Sequence, residues 1–146
     1  MGKSIEKENS MAKFLSFIPN YASLEDVLKD QDLARLGDAY VNFIYSIALS
    51  RRKREATGAK VSSSVLAQAL KKAGLRGLLP GRMDRHALGN AAEALLVFAW
   101  IHGAISIEES VIALTSTDNA VEAFSTLLRN AKDRQSFNQT VSGPTL

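Results

Sequence analysis

Cysteine is absent from these 146 residues, and histidine occurs only at His86 and His102. The first absence excludes a disulfide framework, a thiolate nucleophile and cysteine-held zinc. The second excludes a histidine-rich metal site. Any bound metal is therefore expected to be a hard, oxygen-ligated ion such as Mg²⁺ or Mn²⁺. Long apolar runs are missing too: the longest, residues 91–104, is interrupted by Glu93 and His102 and falls short of a membrane span. Residues 1–10 are polar and charged, so no secretory signal is expected, and Glu6 stands where myristoylation needs Ser or Thr. These absences predict a cytoplasmic protein without a membrane partner.

What is present is ordinary globular material, with 46% hydrophobic and 23% charged residues in a length suited to one domain. The net charge of +3 is unevenly placed. Residues 51–85 hold ten basic side chains against Glu55 and Asp84, a local charge of +8, and the rest of the chain carries −5. A localised basic block is the footprint of a polyanion binder. A solvated helix end followed by ordinary surface lysines gives the same pattern, and charge alone does not choose between them.

No period-2 alternation of any length and no internal repeat occurs, whereas helical periodicity runs nearly throughout. Ser23 caps a short helix over residues 24–28. Asp32 is placed to cap a long helix ending near Arg54, its stripe made of Leu33, Leu36, Tyr40, Phe43, Ile44, Ile47 and Ala48. Val41, Tyr45 and Leu49 extend that stripe almost all round, the mark of a central helix. A loop with Gly58 leads to a helix over 61–73 ended by Gly74, then an irregular stretch over 75–81. A second all-round apolar helix covers 84–102 and ends at Gly103. Ser106 and Glu109 form a capping-box pattern for a helix over 106–114, and residues 118–132 close an all-α domain. The domain is expected over 16–132, with flexible segments at 1–15 and 133–146.

Two helical stretches each place one acid in an apolar run: residues 33–41 around Asp38, and residues 90–96 around Glu93. Acidic side chains are almost never fully buried unless paired, and an isolated buried carboxylate is costly or stays protonated. A divalent cation shared between the helices is one common explanation. Asn42 lies one turn beyond Asp38 on the same face, and His86, Asn90 and Glu93 form a polar line at i, i+4 and i+7. Helices crossing at Gly37 and Gly89 would bring Asp38, Asn90 and Glu93 together as an open oxygen-donor site. The residues leave a structural reading open as well: a buried acid satisfied by a tyrosine or backbone group, Asn90 as an interhelical hydrogen bonder, and Trp100 as core.

The order of motifs carries a resemblance. Leu36-Gly37-Asp38-Ala39 comes first, then Gly58-Ala59-Lys60-Val61-Ser62 with Leu66 to Gly74, then Glu93-Ala94-Leu95-Leu96. Over residues 24–128 this text resembles the ribonuclease III family. The resemblance implies an all-α ribonuclease III-like endonuclease domain, dimeric through the Gly-Asp helix. It implies hydrolysis of double-stranded or structured RNA to a 5′-phosphate and a 3′-hydroxyl. Asp38 and Glu93 would be catalytic and hold Mg²⁺ or Mn²⁺, with Asn90 adding an amide oxygen; Arg51, Arg52, Lys53, Arg54 and Lys60 would bind RNA. Members of the family typically carry four acids, and two of those positions here are Ala34 and Asn90. The reduced set is most similar to the short Mini-III branch, and, as in that branch, no appended double-stranded-RNA-binding domain is expected. Two readings follow from the missing acids: a minimal active nuclease, or a relative that binds structured RNA or a ribonucleoprotein without cutting it. A helical protein-interaction module with an incidental basic block is the third reading.

Overall fold

Each helix begins where a short polar side chain accepts an N–H that the helix itself cannot satisfy. The computed structural model describes residues 11–135 and 137, and among these there is no strand. A helical turn at residues 11–14 precedes six helices. They are α1 (Leu24–Leu28), α2 (Gln31–Lys53), α3 (Ser63–Lys72), α4 (Arg85–Ile101), α5 (Ile107–Thr115) and α6 (Ala120–Arg134), with a 3-10 turn at Arg76–Leu78. Ser23, Asp30, Ser62, Asp84, Ser106 and Asn119 each accept from the backbone N–H three residues on. Each such cap contributes about 1 kcal/mol.

Some details of the helix starts differ from the sequence expectation, and α3 begins at Ser63 behind its cap Ser62 and not at 61. The cap of α2 is Asp30 rather than Asp32; Tyr21 donates its hydroxyl to the same carboxylate at 2.5 Å, which fixes it in place. The last helix starts after Asn119 because the Asp118 carboxylate is drawn away to Arg52 at 2.7 Å. Ser106 makes its half of the capping box, but the Glu109 carboxylate turns to Arg134 at 2.8 Å. Gly74 and Gly103 end their helices at positive φ of 81° and 76°, as predicted. The flexible segments expected at 1–15 and 133–146 fall largely outside the described residues. Within the described part, Met11, Ala12 and Leu15 pack against the core, and α6 runs to Arg134.

The central helix is α4, packed against α1, α2, α3 and α6. Every residue from Ala91 to Ala99 on it is buried. The other candidate, α2, buries Leu33, Ala34, Gly37, Tyr40, Val41, Ile44 and Ala48. Its Leu36 and Phe43 face outward, 40% and 56% exposed, so α2 is covered on one side only. No described helix is long and apolar enough to cross a membrane.

The two helices cross at Gly37, where a Cβ would lie 2.1 Å from the Glu93 carbonyl oxygen. The crossing is thus backbone against backbone, and only glycine fits. Gly89 does not take part, contrary to the sequence reading. It faces Ser63 of α3, where an added Cβ would sit at an ordinary 3.5 Å. The two glycines therefore separate cleanly. Gly37→Ala must push α2 from α4 and is expected to destabilise by about 3 kcal/mol or more. Gly89→Ala gains helix propensity of up to about 1 kcal/mol and is expected to be neutral or stabilising. Urea unfolding of both variants checks this; equal midpoints would contradict the crossing geometry.

Candidate active site

The Gly37 crossing sets Asp38, the next residue on α2, beside Glu93 of α4. Their carboxyl groups share a hydrogen bond. Glu93 is only 7% exposed, whereas Asp38 is half-buried at the rim, so only one of the two acids is fully taken from water. An open pocket of about 820 Å³ lies over the pair. From α2 it is lined by Gln31, Ala34, Arg35 and Asp38, from α4 by His86, Asn90 and Glu93, and from the connection between α2 and α3 by residues 60–63.

Burial pushes the Glu93 carboxyl up from 4.5 to about 8, and the hydrogen bond and negative charge of Asp38 add to the effect; Lys60 pulls the other way. Burial beside a second carboxyl thus favours the protonated form of Glu93 at neutral pH. Asn42, one turn along α2, donates from Nδ2 to Asp38 Oδ1 at 3.2 Å. Its own Oδ1 accepts the Val61 N–H at 2.8 Å. Asp38 is therefore oriented by a side chain that is itself pinned to the backbone.

Asn90 donates its amide Nδ2 to Gln31 Oε1 at 3.5 Å, a bond that does not use the Asn90 carbonyl oxygen. Ser63 Oγ and His86 Nδ1 are 3.1 Å apart at the far side of the pocket. The donor set of Asp38, Glu93 and Asn90 is all oxygen, which fits a hard divalent cation. It is a lean set. Ala34 supplies no ligand, and among the described residues no cluster of three or more acidic, histidine or cysteine side chains is placed to hold a metal.

Of the basic residues named from the sequence, Lys60 lines the pocket. Arg51, Lys53 and Arg54 are exposed at the C-terminal end of α2. That end lies about 20 Å along the helix from Asp38, at 1.5 Å per residue. Arg52 is employed otherwise. It pairs with Asp118 at 2.7 Å and donates to the Thr115 and Thr117 carbonyls, bracing the end of α5. Sequence reasoning missed Gln31 and Arg35, which share the Asp38 face at i−7 and i−3, and the bond from Asn42 to Val61.

An all-helical domain with two carboxylates on crossing helices, in a pocket entered by a lysine, is the class of protein that fold and site define. A family model described as Ribonuclease III matches residues 31–134, and the chain belongs to the ribonuclease III family. A search of curated proteins finds no match to the chain.

The raised pKa of Glu93 predicts a pH dependence. Below about pH 4.5 Glu93 is protonated folded or unfolded. As pH rises the unfolded chain releases this proton first, so the metal-free protein loses stability until about pH 8 and then levels off. The loss should be on the order of 2–4 kcal/mol. In EDTA, Glu93→Gln should flatten this part of the stability–pH curve. A wild-type curve that rises from pH 5 to 8, unaltered by the substitution, would show that Glu93 holds no such proton.

Proposed function

We propose that this protein is a metal-dependent endoribonuclease that hydrolyses phosphodiester bonds of double-stranded or structured RNA, working in the cytoplasm as a homodimer. The observation that carries the reading is the acid pair: a buried Glu93 carboxyl set beside Asp38, in a pocket that also receives Lys60, within a ribonuclease III domain. Asp38 and Glu93, with the Asn90 amide oxygen, would hold Mg²⁺ or Mn²⁺, which supplies an activated water and stabilises charge on a phosphoryl oxygen. The chain's own groups do the rest. Glu93 must give up its proton before the pair can act as two anions, and the Lys60 charge favours that loss. Asn42 holds Asp38 in one orientation. Lys60, Arg51, Lys53 and Arg54 offer charge to RNA phosphates, while Arg52 remains a brace. Because A-form RNA is recognised mainly by shape and through phosphate and 2′-hydroxyl contacts, sequence preference should be weak.

The homodimer reading rests on the uncovered side of α2. Leu36 and Phe43 stand two turns apart on it, and Phe14 and Phe17 nearby are 79% and 76% exposed. A second copy would cover these aromatic groups. Light scattering at micromolar concentration should give twice 15.8 kDa, and Phe43→Glu should return the protein to a monomer. A wild-type mass of one chain would remove the dimer from the reading.

A non-cleaving RNA binder is the second reading, favoured by the neutral Ala34 and Asn90 where the family resemblance expects acids. Cleavage of a long RNA duplex with Mg²⁺ or Mn²⁺ decides. An active wild type should lose orders of magnitude on Glu93→Gln while duplex binding is kept, and Asn90→Asp should raise activity. If the wild type is silent and Asn90→Asp with Ala34→Glu cuts, the natural protein is the binder. If neither cuts any structured RNA, the nuclease reading fails.

A further inference from the structure

Along α2, the residues Asp38, Asn42, Ser46 and Ser50 follow one another at intervals of four, so they line one face of the helix. Each of the last three is bound to the backbone of the segment that leads from α2 to α3. Ser50 Oγ donates to the Thr57 carbonyl at 3.1 Å and accepts the Thr57 N–H at 2.9 Å. Ser46 Oγ does the same with Ala59, at 3.1 and 2.9 Å. Asn42 Oδ1 accepts the Val61 N–H at 2.8 Å. Three side chains thus hold alternate residues of a segment that runs antiparallel to the helix.

The match is geometric. Four residues of helix advance about 6.0 Å, and two residues of extended chain advance about 6.6 Å, so the two repeats stay in step over the length of the contact. The pairing also fixes which groups look outward. In an extended chain, N–H and C=O groups alternate sides, so those of residues 57, 59 and 61 face α2 and those of Gly58 and Lys60 face away. Gly58 and Lys60 are exposed, whereas Thr57 and Ala59 are half-buried and Val61 is buried. Neither the Gly58 nor the Lys60 N–H makes a hydrogen bond among the described residues. The segment starts just after the exposed Arg51, Lys53 and Arg54 and ends at the pocket over Asp38 and Glu93.

We propose that residues 57–61 are a preformed rail for the sugar–phosphate backbone of an RNA strand, on which the outward N–H groups of Gly58 and Lys60 and the Lys60 ammonium take successive phosphates. The rail carries the strand from the basic end of α2 into the acid-pair pocket. Charge complementarity selects the occupant: the rail offers N–H donors and cations to a polyanion, and α2 has already used the carbonyls of Thr57 and Ala59. Ser46 and Ser50 touch no RNA; they are positioning residues that hold the rail straight, as Asn42 does for Asp38. This inference rests on the RNA-directed reading above but not on cleavage.

The test is fluorescence anisotropy of a labelled blunt RNA duplex of about 30 base pairs in EDTA, across a salt series. Lys60→Gln should weaken binding about tenfold and lower the salt slope by about one unit, because one cation–phosphate contact is lost. Gly58→Pro removes a single uncharged donor at a place where an added Cβ meets nothing within 4 Å. It should weaken binding severalfold with the salt slope unchanged. Ser46→Ala with Ser50→Ala should also weaken binding although neither side chain reaches the RNA, the thermal midpoint reporting that the fold is retained. A wild type that binds but cuts nothing, with Lys60→Gln and Gly58→Pro both weaker, sinks the nuclease reading and supports the rail. Wild-type affinity and salt slope in both Lys60→Gln and Gly58→Pro overturn the rail, whether or not the protein cuts. A wild type that binds no duplex overturns both.

Discussion

The contact between Gly37 and the Glu93 carbonyl is the constraint on which the site depends. A glycine crossing draws two helix backbones together until no side chain fits between them. Because the crossing residues adjoin or include the two acids, the distance between the carboxyl groups is set by backbone packing and not by flexible side chains. The central helix reinforces this, since its unbroken buried run from Ala91 to Ala99 fixes α4 against four neighbours. Glu93 is the one charged residue among its buried positions. Its burial is tolerable because the carboxyl favours its neutral form there and Lys60 draws the other way.

The lean donor set follows the same logic. Burial and the neighbouring Asp38 favour the protonated form of Glu93, and Lys60 stands on the opposite side of the balance. Acids at positions 34 and 90 would add like charges to a place that already favours the neutral form of Glu93, and the apoprotein would be harder to fold. Ala34 and Asn90 relieve that repulsion and weaken the pull on a cation by the same act. Lys60 supplies positive charge beside the acids on the protein's own account.

Much of this was legible in the sequence. Cap residues, the two helix-ending glycines and the i, i+4, i+7 line on α4 are local signals, and the structure keeps them. Gly37 beside an acid in an apolar run correctly marked a close crossing. What failed depends on partners distant in sequence. Asp32 was read as the cap of α2, but the cap is Asp30, which Tyr21 holds; Gly89 looked like half of the α2–α4 crossing but serves α3. Leu36 and Phe43 fit the apolar period of α2 yet face outward, because periodicity reports which residues share a face and not whether anything covers it. The ladder of Asn42, Ser46 and Ser50 did leave a signal, small polar residues every fourth position on an otherwise apolar helix. It went unread because its other half is backbone, which has no sequence.

Charge shows the same limit. The segment over residues 51–85 has a charge of +8, yet its cations are not one surface. Arg52 braces α5, Lys72 pairs with Glu122, and Arg76 donates to the carbonyls of Leu79, Pro80 and Gly81, closing its own loop. A guanidinium or ammonium engaged in this way is a structural donor, and rupturing those bonds to reach a phosphate would cost what they contribute. Of this segment, Lys60 stands at the pocket, and Arg51, Lys53 and Arg54 stand exposed at the far end of α2. Between them runs the segment clipped to α2, so free cations, outward N–H groups and the acid pair fall along one line. A helix spaced at four residues and a segment spaced at two are what make that line straight.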